Sequence, residues 1–85
     1  ADIARSLGLQ GKYDAALVEA LCQRIDALMK AVDVDPRLSA NGVTKEAFDA
    51  AVDKLASLAY DDQCTPANPR QPYLAELKQL LIDMF

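Results

Sequence analysis

Tyr13-Asp14-Ala15-Ala16-Leu17-Val18-Glu19-Ala20-Leu21-Cys22-Gln23-Arg24-Ile25-Asp26-Ala27-Leu28-Met29-Lys30-Ala31-Val32-Asp33-Val34 is the stretch whose reading decides the fold. Leu17, Val18, Leu21, Cys22, Ile25, Leu28, Met29 and Val32 recur at spacings of three and four, the stripe of an amphipathic helix. Glu19, Gln23, Arg24, Asp26 and Lys30 fall off the stripe. The spacing predicts a helix over Tyr13 to Val34 with one face buried and the other wet, and it makes Cys22 a buried small hydrophobe. Asp14 is positioned as an N-cap that accepts from the first free amides. Val34-Asp35-Pro36 ends the helix, because a residue before proline avoids the helical region.

Towards the N-terminus, Ile3, Ala4 and Leu7 sit at helical spacing ahead of Gly8, a residue suited to the C′ position. A chain that opens at Ala1 already in helical register reads as a piece of a longer protein. Towards the C-terminus, Arg37-Leu38-Ser39 predicts a short turn before Asn41-Gly42, after which Thr44 caps a helix running to about Tyr60. Phe48, Val52, Leu55 and Ala59 form its stripe, widened by Ala51 and Leu58, with Glu46 at its positive end. Pro72 suits the first turn of a last helix, whose stripe is Leu74, Leu77, Leu81 and Met84. Nothing alternates with period two, so the expected architecture is all-α: a small helical bundle making one domain of residues 1–85.

Eighty-five residues at 52% hydrophobic content bury only roughly 60–65% of their unfolded surface, enough for a modest core. Nine Lys or Arg against thirteen Asp or Glu leave a formal charge of -4, which opposes nucleic acid and anionic lipid as partners. No apolar run reaches the roughly 18 residues of a membrane span, and no signal peptide is evident, so a cytoplasmic protein is expected. The two cysteines, Cys22 and Cys64, are too few for a secreted disulfide scaffold, and reduced thiols are expected.

Between the last two helices lies Asp61-Asp62-Gln63-Cys64-Thr65-Pro66-Ala67-Asn68-Pro69-Arg70, polar and stiffened by proline. Thr65 and Asn68, each before a proline, are predicted to be extended. Pro66, Pro69 and Pro72 recur every third residue, as in polyproline II. Arg70 carries a planar fork that fits a carboxylate. On these grounds alone the loop is structural, with Asp62 and Asn68 capping helix ends, Pro69 fixing its course and Arg70 paired. Cys64 is a poor nucleophile, since Asp61 and Asp62 oppose a thiolate and the sequence contains no histidine to act as a base.

The loop, with Ala59-Tyr60 before it, resembles the C-terminal signature of iron-containing alcohol dehydrogenases, in which an Asp and a Cys-Thr precede Asn-Pro-Arg. The resemblance continues through Glu76-Leu77-Lys78-Gln79-Leu80-Leu81 and back to Ala1-Asp2-Ile3-Ala4 and Leu7-Gly8-Leu9. It is nearest to the alcohol dehydrogenase half of bifunctional aldehyde-alcohol dehydrogenases, with which Gln63 is associated; Gln63 and Pro66 depart from many other members. The resemblance implies the C-terminal part of the helical domain, structural and pocket-forming but inactive alone. It implies a parent enzyme that exchanges a hydride between an alcohol and NAD(P), with iron or zinc as Lewis acid. By the same likeness Cys64 and Thr65 form a wall of the substrate and nicotinamide pocket.

The family's metal ligands, one aspartate and three histidines, and its nucleotide-binding glycines lie upstream of the region resembled. No catalytic residue, metal ligand or bound cofactor is therefore assigned to these 85 residues. Asp61-Asp62 and Asp33 with Asp35 lack calcium-loop spacing and read as helix-end charges. The expected partner is the remainder of the parent chain, and the isolated piece is expected to self-associate through its uncovered apolar face. Two other readings stand beside this one: a stand-alone helical interaction module, and a PxxP ligand formed by Pro66-Ala67-Asn68-Pro69.

Overall fold

A computed structural model describes all 85 residues. The fold is all-α, with helices α1 (Asp2–Ser6), α2 (Asp14–Ala31), α3 (Lys45–Asp61) and α4 (Leu74–Asp83), and with single 3₁₀ turns at Ser39–Asn41 and Thr65–Ala67. No helix is long and apolar enough to cross a membrane. The chain forms two compact units, Ala1–Asp35 and Pro36–Phe85, where a single core is expected from its length. The division follows from connectivity: each unit holds one pair of helices joined within it, and each pair buries its own few side chains.

In the first unit α1 packs on α2, burying Ala4 and Leu17. α1 ends as its sequence predicts. Gly8 lies at φ +74°, its amide donates to the Arg5 carbonyl, and the Leu9 amide donates to the Ala4 carbonyl, each at 3.0 Å. These two bonds satisfy carbonyls that a helix end leaves free, and the left-handed backbone they need suits glycine. α2 differs from expectation at both ends. Tyr13, extended at φ -152° and ψ 166°, is the N-cap residue, and Asp14 is the first helical residue. The Asp14 carboxylate instead accepts from Arg5, which also holds Asp2 at 2.7 Å, so charge pairing between helices has displaced the cap.

At its other end α2 stops at Ala31, ahead of the residues next to Pro36. Asp33 turns to φ +56°, while the Val34 amide donates to the Met29 carbonyl at 2.9 Å. The left-handed turn therefore falls on an aspartate, a residue that tolerates it better than most at a cost of about 1–2 kcal/mol. Only Leu17 of the α2 stripe is buried; Val18, Ile25, Leu28 and Val32 are each about half exposed, and Cys22 is exposed. The expectation of a buried Cys22 fails because α1, with five residues, is too short to cover the stripe beyond its first turns.

In the second unit Thr44 accepts the Ala47 amide at 3.2 Å and starts α3 as expected. Phe48, Val52 and Ala56 are the buried row of α3, packed against α4. Leu55 and Leu58 are exposed, so the inward line runs through Ala56, where a small side chain lets α4 approach, and not through the larger neighbours. The rings of Phe48 and Phe85 lie 4.8 Å apart, and Lys78 on α4 reaches Asp53 on α3 at 2.5 Å. The start and end of this unit are tied by the Leu38 amide on the Met84 carbonyl at 2.8 Å and by the Ser39 hydroxyl on the Phe85 carbonyl at 2.5 Å. α4 begins at Leu74, two residues beyond Pro72, because the Tyr73 amide is held by Glu76 and Tyr73 stays extended as the N-cap.

Candidate functional site

The chemistry-bearing side chains that the sequence singles out lie on the segment from Asp62 to Tyr73, within the second unit. α3 ends when Asp62 turns extended, and the Asp62 carboxylate then accepts the Cys64 amide at 2.7 Å. That bond bends the chain back on itself, as aspartate side chains do in turns. Thr65 follows, using all its polar groups: its amide donates to the Asp62 carbonyl at 3.0 Å, its hydroxyl to the Ala59 carbonyl at 2.5 Å, and its carbonyl accepts the Asn68 amide at 3.2 Å. Ala59 is in the last turn of α3, whose carbonyls lack helical partners, so the hydroxyl closes an open valence there.

These bonds explain where the backbone departs from expectation. Thr65 opens a 3₁₀ turn, although it precedes a proline, since three bonds worth about 1 kcal/mol each outweigh the local bias. Pro66 sits inside that turn, so a polyproline II run from Pro66 to Pro72 does not form, and the PxxP ligand reading loses its conformation. Asn68, at φ -65° and ψ 138°, is extended as the following Pro69 requires. The Asn68 side-chain amide donates to the Arg70 carbonyl.

Arg70 holds Glu76 with both ends of its fork: Nη1 donates to Oε2 at 3.2 Å and Nη2 donates to Oε1. The same carboxylate accepts the Tyr73 amide at 2.8 Å. One side chain in the first turn of α4 thus gathers a distant guanidinium and a free helix amide. Glu76 is the residue that sequence reasoning misses at this site; its signal is the Tyr73 to Glu76 spacing of a helix-start box.

The Arg70 guanidinium, and after it the Tyr73 amide, hold the Glu76 carboxyl below the usual glutamate range, while Glu76 raises Arg70. With its folded value below its unfolded one, Glu76 adds stability that is fully present above the unfolded glutamate pKa. That stability is lost as the pH falls through the lower folded value. Both side chains are more than a third exposed, so the gain is small and salt-sensitive. We expect Glu76→Gln to melt a little below the parent at neutral pH and to converge with it in acid; a pH-independent gap in thermal melts would contradict this.

Cys64, Thr65, Asn68, Arg70 and Pro72 border an open cleft of about 470 Å³, completed by Ala59 of α3 and by Leu77 and Leu80 of α4. One side is apolar, through Ala59, Pro72, Leu77 and Leu80. The other carries a thiol, a hydroxyl, an amide and a guanidinium paired to Glu76. Cys64 is exposed and free, and Asp62 and Pro69 support the loop from outside the lining. Such a cleft can seat a small hydrocarbon chain bearing one polar head.

The fold and this cleft define the class: a helical segment carrying a loop-walled pocket. The family model described as "Fe-containing alcohol dehydrogenase family, C-terminal" matches residues 1–85, and the chain belongs to that family. It is 42% identical over 87 residues to the bifunctional aldehyde-alcohol dehydrogenase AdhE of Escherichia coli (strain K12), covering 100% of this chain and 10% of the relative. It is 39% identical to the aldehyde-alcohol dehydrogenase of Clostridium acetobutylicum, again over 100% of this chain and 10% of the relative. It is 31% identical over 80 residues to the NADPH-dependent butanol dehydrogenase of Clostridium saccharobutylicum, covering 94% of this chain and 21% of the relative. The chain therefore spans about a tenth of the length of the bifunctional relatives. These comparisons give no support to a stand-alone interaction module.

The residues present do not fit the iron that the family implies. The sequence contains no histidine, and no three His, Cys, Asp or Glu side chains converge on a point. The glycines form no phosphate cradle: a Cβ at Gly8 or Gly42 would meet open space, and Gly11 is packed against Leu17.

Proposed function

We propose that these residues wall the substrate cleft of a longer, metal-dependent enzyme that interconverts alcohol and aldehyde with NAD(P). The observation that carries the reading is the placement of Cys64 and Thr65 on the rim of an amphipathic cleft, in a chain matched to the family over its whole length. The metal and the nicotinamide belong to other parts of the enzyme. This chain's share is to bind and shape. Ala59, Pro72, Leu77 and Leu80 take the hydrocarbon part and exclude water from it, while Cys64 and Thr65 flank the polar end.

The isolated 85 residues are structural and have no activity of their own in this reading. The half-exposed Val18, Ile25, Leu28 and Val32 support covering of α2 by the rest of the parent chain. The reading includes a cytoplasmic setting, where thiols such as Cys22 and Cys64 stay reduced.

Cys64→Trp in the full-length enzyme tests the assignment, since an indole there fills part of the cleft. We expect kcat/KM for a small alcohol to fall by about tenfold or more, with little change in melting temperature because Cys64 is exposed. Unchanged kcat/KM would remove Cys64 from the wall.

A further inference from the structure

Arg70 borders the cleft and is the one cationic side chain that does so. Left free, its guanidinium would favour any substrate carrying a carboxylate, because the planar fork binds carboxylates with two parallel bonds. Both of those bonds are already made inside the protein, to Oε1 and Oε2 of Glu76. Glu76 does not itself line the cleft. Its second task, accepting the Tyr73 amide, anchors the carboxylate to the start of α4, so it is not free to swing away from Arg70.

On the loop side, the Asn68 side chain holds the Arg70 carbonyl, and Pro69 and Pro72 restrict the backbone on either side. The guanidinium is thus fixed from its main chain and its fork together. We propose that Glu76 is a specificity-determining positioning residue: by occupying the Arg70 fork it masks the one positive charge that these residues bring to the cleft, so that this wall favours uncharged alcohols over hydroxy carboxylates. The low proton affinity of Glu76 beside Arg70 keeps the mask charged at neutral pH. This inference rests on the reading of the cleft as a substrate pocket.

The test is a ratio measured in the full-length enzyme: kcat/KM for a hydroxy carboxylate over kcat/KM for the neutral alcohol of the same carbon count. Glu76→Gln keeps the shape but not the charge, and is expected to raise the ratio roughly three- to fivefold, the scale of a solvent-screened charge pair. Glu76→Asp keeps the charge and is expected to stay nearer the parent. Arg70→Gln removes the cation and leaves the Glu76 charge unmasked, so the ratio is expected to fall. A structural role alone would lower both rates together and move the ratio in neither variant.

An unchanged ratio in Glu76→Gln, or movement in the same direction in both variants, overturns the proposal. Should Glu76→Gln fail to fold, the Arg70→Gln ratio decides. Cys64→Trp separates the two levels of inference. If it lowers kcat/KM while the ratios stay fixed, charge masking fails and the cleft assignment survives. If it changes nothing, the cleft assignment fails and the masking proposal with it.

Discussion

Replacing Phe48 with alanine is expected to bring the Pro36–Phe85 unit to the edge of unfolding. Phe48 is 5% exposed, it heads the buried row that continues through Val52 and Ala56, and its ring meets that of Phe85. Truncating a buried phenylalanine costs about 3–5 kcal/mol, counting lost transfer and the cavity left behind. A whole small domain has a net stability of about 5–15 kcal/mol, and a unit this small lies at the low end. Urea unfolding followed by circular dichroism should show the midpoint collapse. A loss below about 1 kcal/mol would mean that Phe85 and α4 close over the hole.

The second large effect is expected at Gly11→Val, in the other unit. A Cβ built on Gly11 comes within 2.9 Å of the Leu17 amide nitrogen and 3.0 Å of its Cγ. The amide belongs to the first turn of α2 and donates to the Tyr13 carbonyl, so it cannot move aside without opening the helix. Leu17 is also the buried residue of that turn. Overpacking of this kind costs about 1–3 kcal/mol, and valine's branching takes it towards the upper figure. Hydrogen exchange should accelerate over α1 and the first turns of α2 while α3 and α4 keep their protection. Uniform acceleration, or none, would count against the local account.

Sequence and structure agree where the determinant is local. Thr44 and Gly8 act through atoms a few residues away, so a cap and a helix stop can be read directly from them. They diverge where a distant group competes. Asp14 has the right chemistry for a cap, but Arg5 of α1 claims its carboxylate, and nothing in the spacing announces that pair. Leu55 outranks Ala56 in any hydrophobic stripe, yet the approach of α4 chooses the smaller residue. Thr65 illustrates the same contest on the backbone, where three hydrogen bonds override a proline.

The candidate site was legible to the same depth. The composition of the Asp62 to Arg70 segment exposes its stiffness, and the fork of Arg70 announces a carboxylate. Which carboxylate depends on how far α4 lies beyond Pro72, and only the folded loop decides that it is Glu76. Cys64 is exposed, a property that its place in the polar loop carries and its residue type does not.

The bond between the Ser39 hydroxyl and the Phe85 carbonyl joins residues 46 apart in the chain, whereas Arg5 and Asp14 are separated by nine. A ribosome delivers the chain from its N-terminus, at roughly 5–20 residues per second. The contacts between α1 and α2 can form once Ala31 has emerged. The second unit holds the Leu38 amide and the Ser39 hydroxyl without their partners until Met84 and Phe85 arrive, and its Phe48 row without α4. The same separation makes its loop closure entropically the costlier of the two. Biosynthesis therefore leaves this apolar seam open for the time it takes to add about forty residues, and it closes only when Phe85 can reach Phe48.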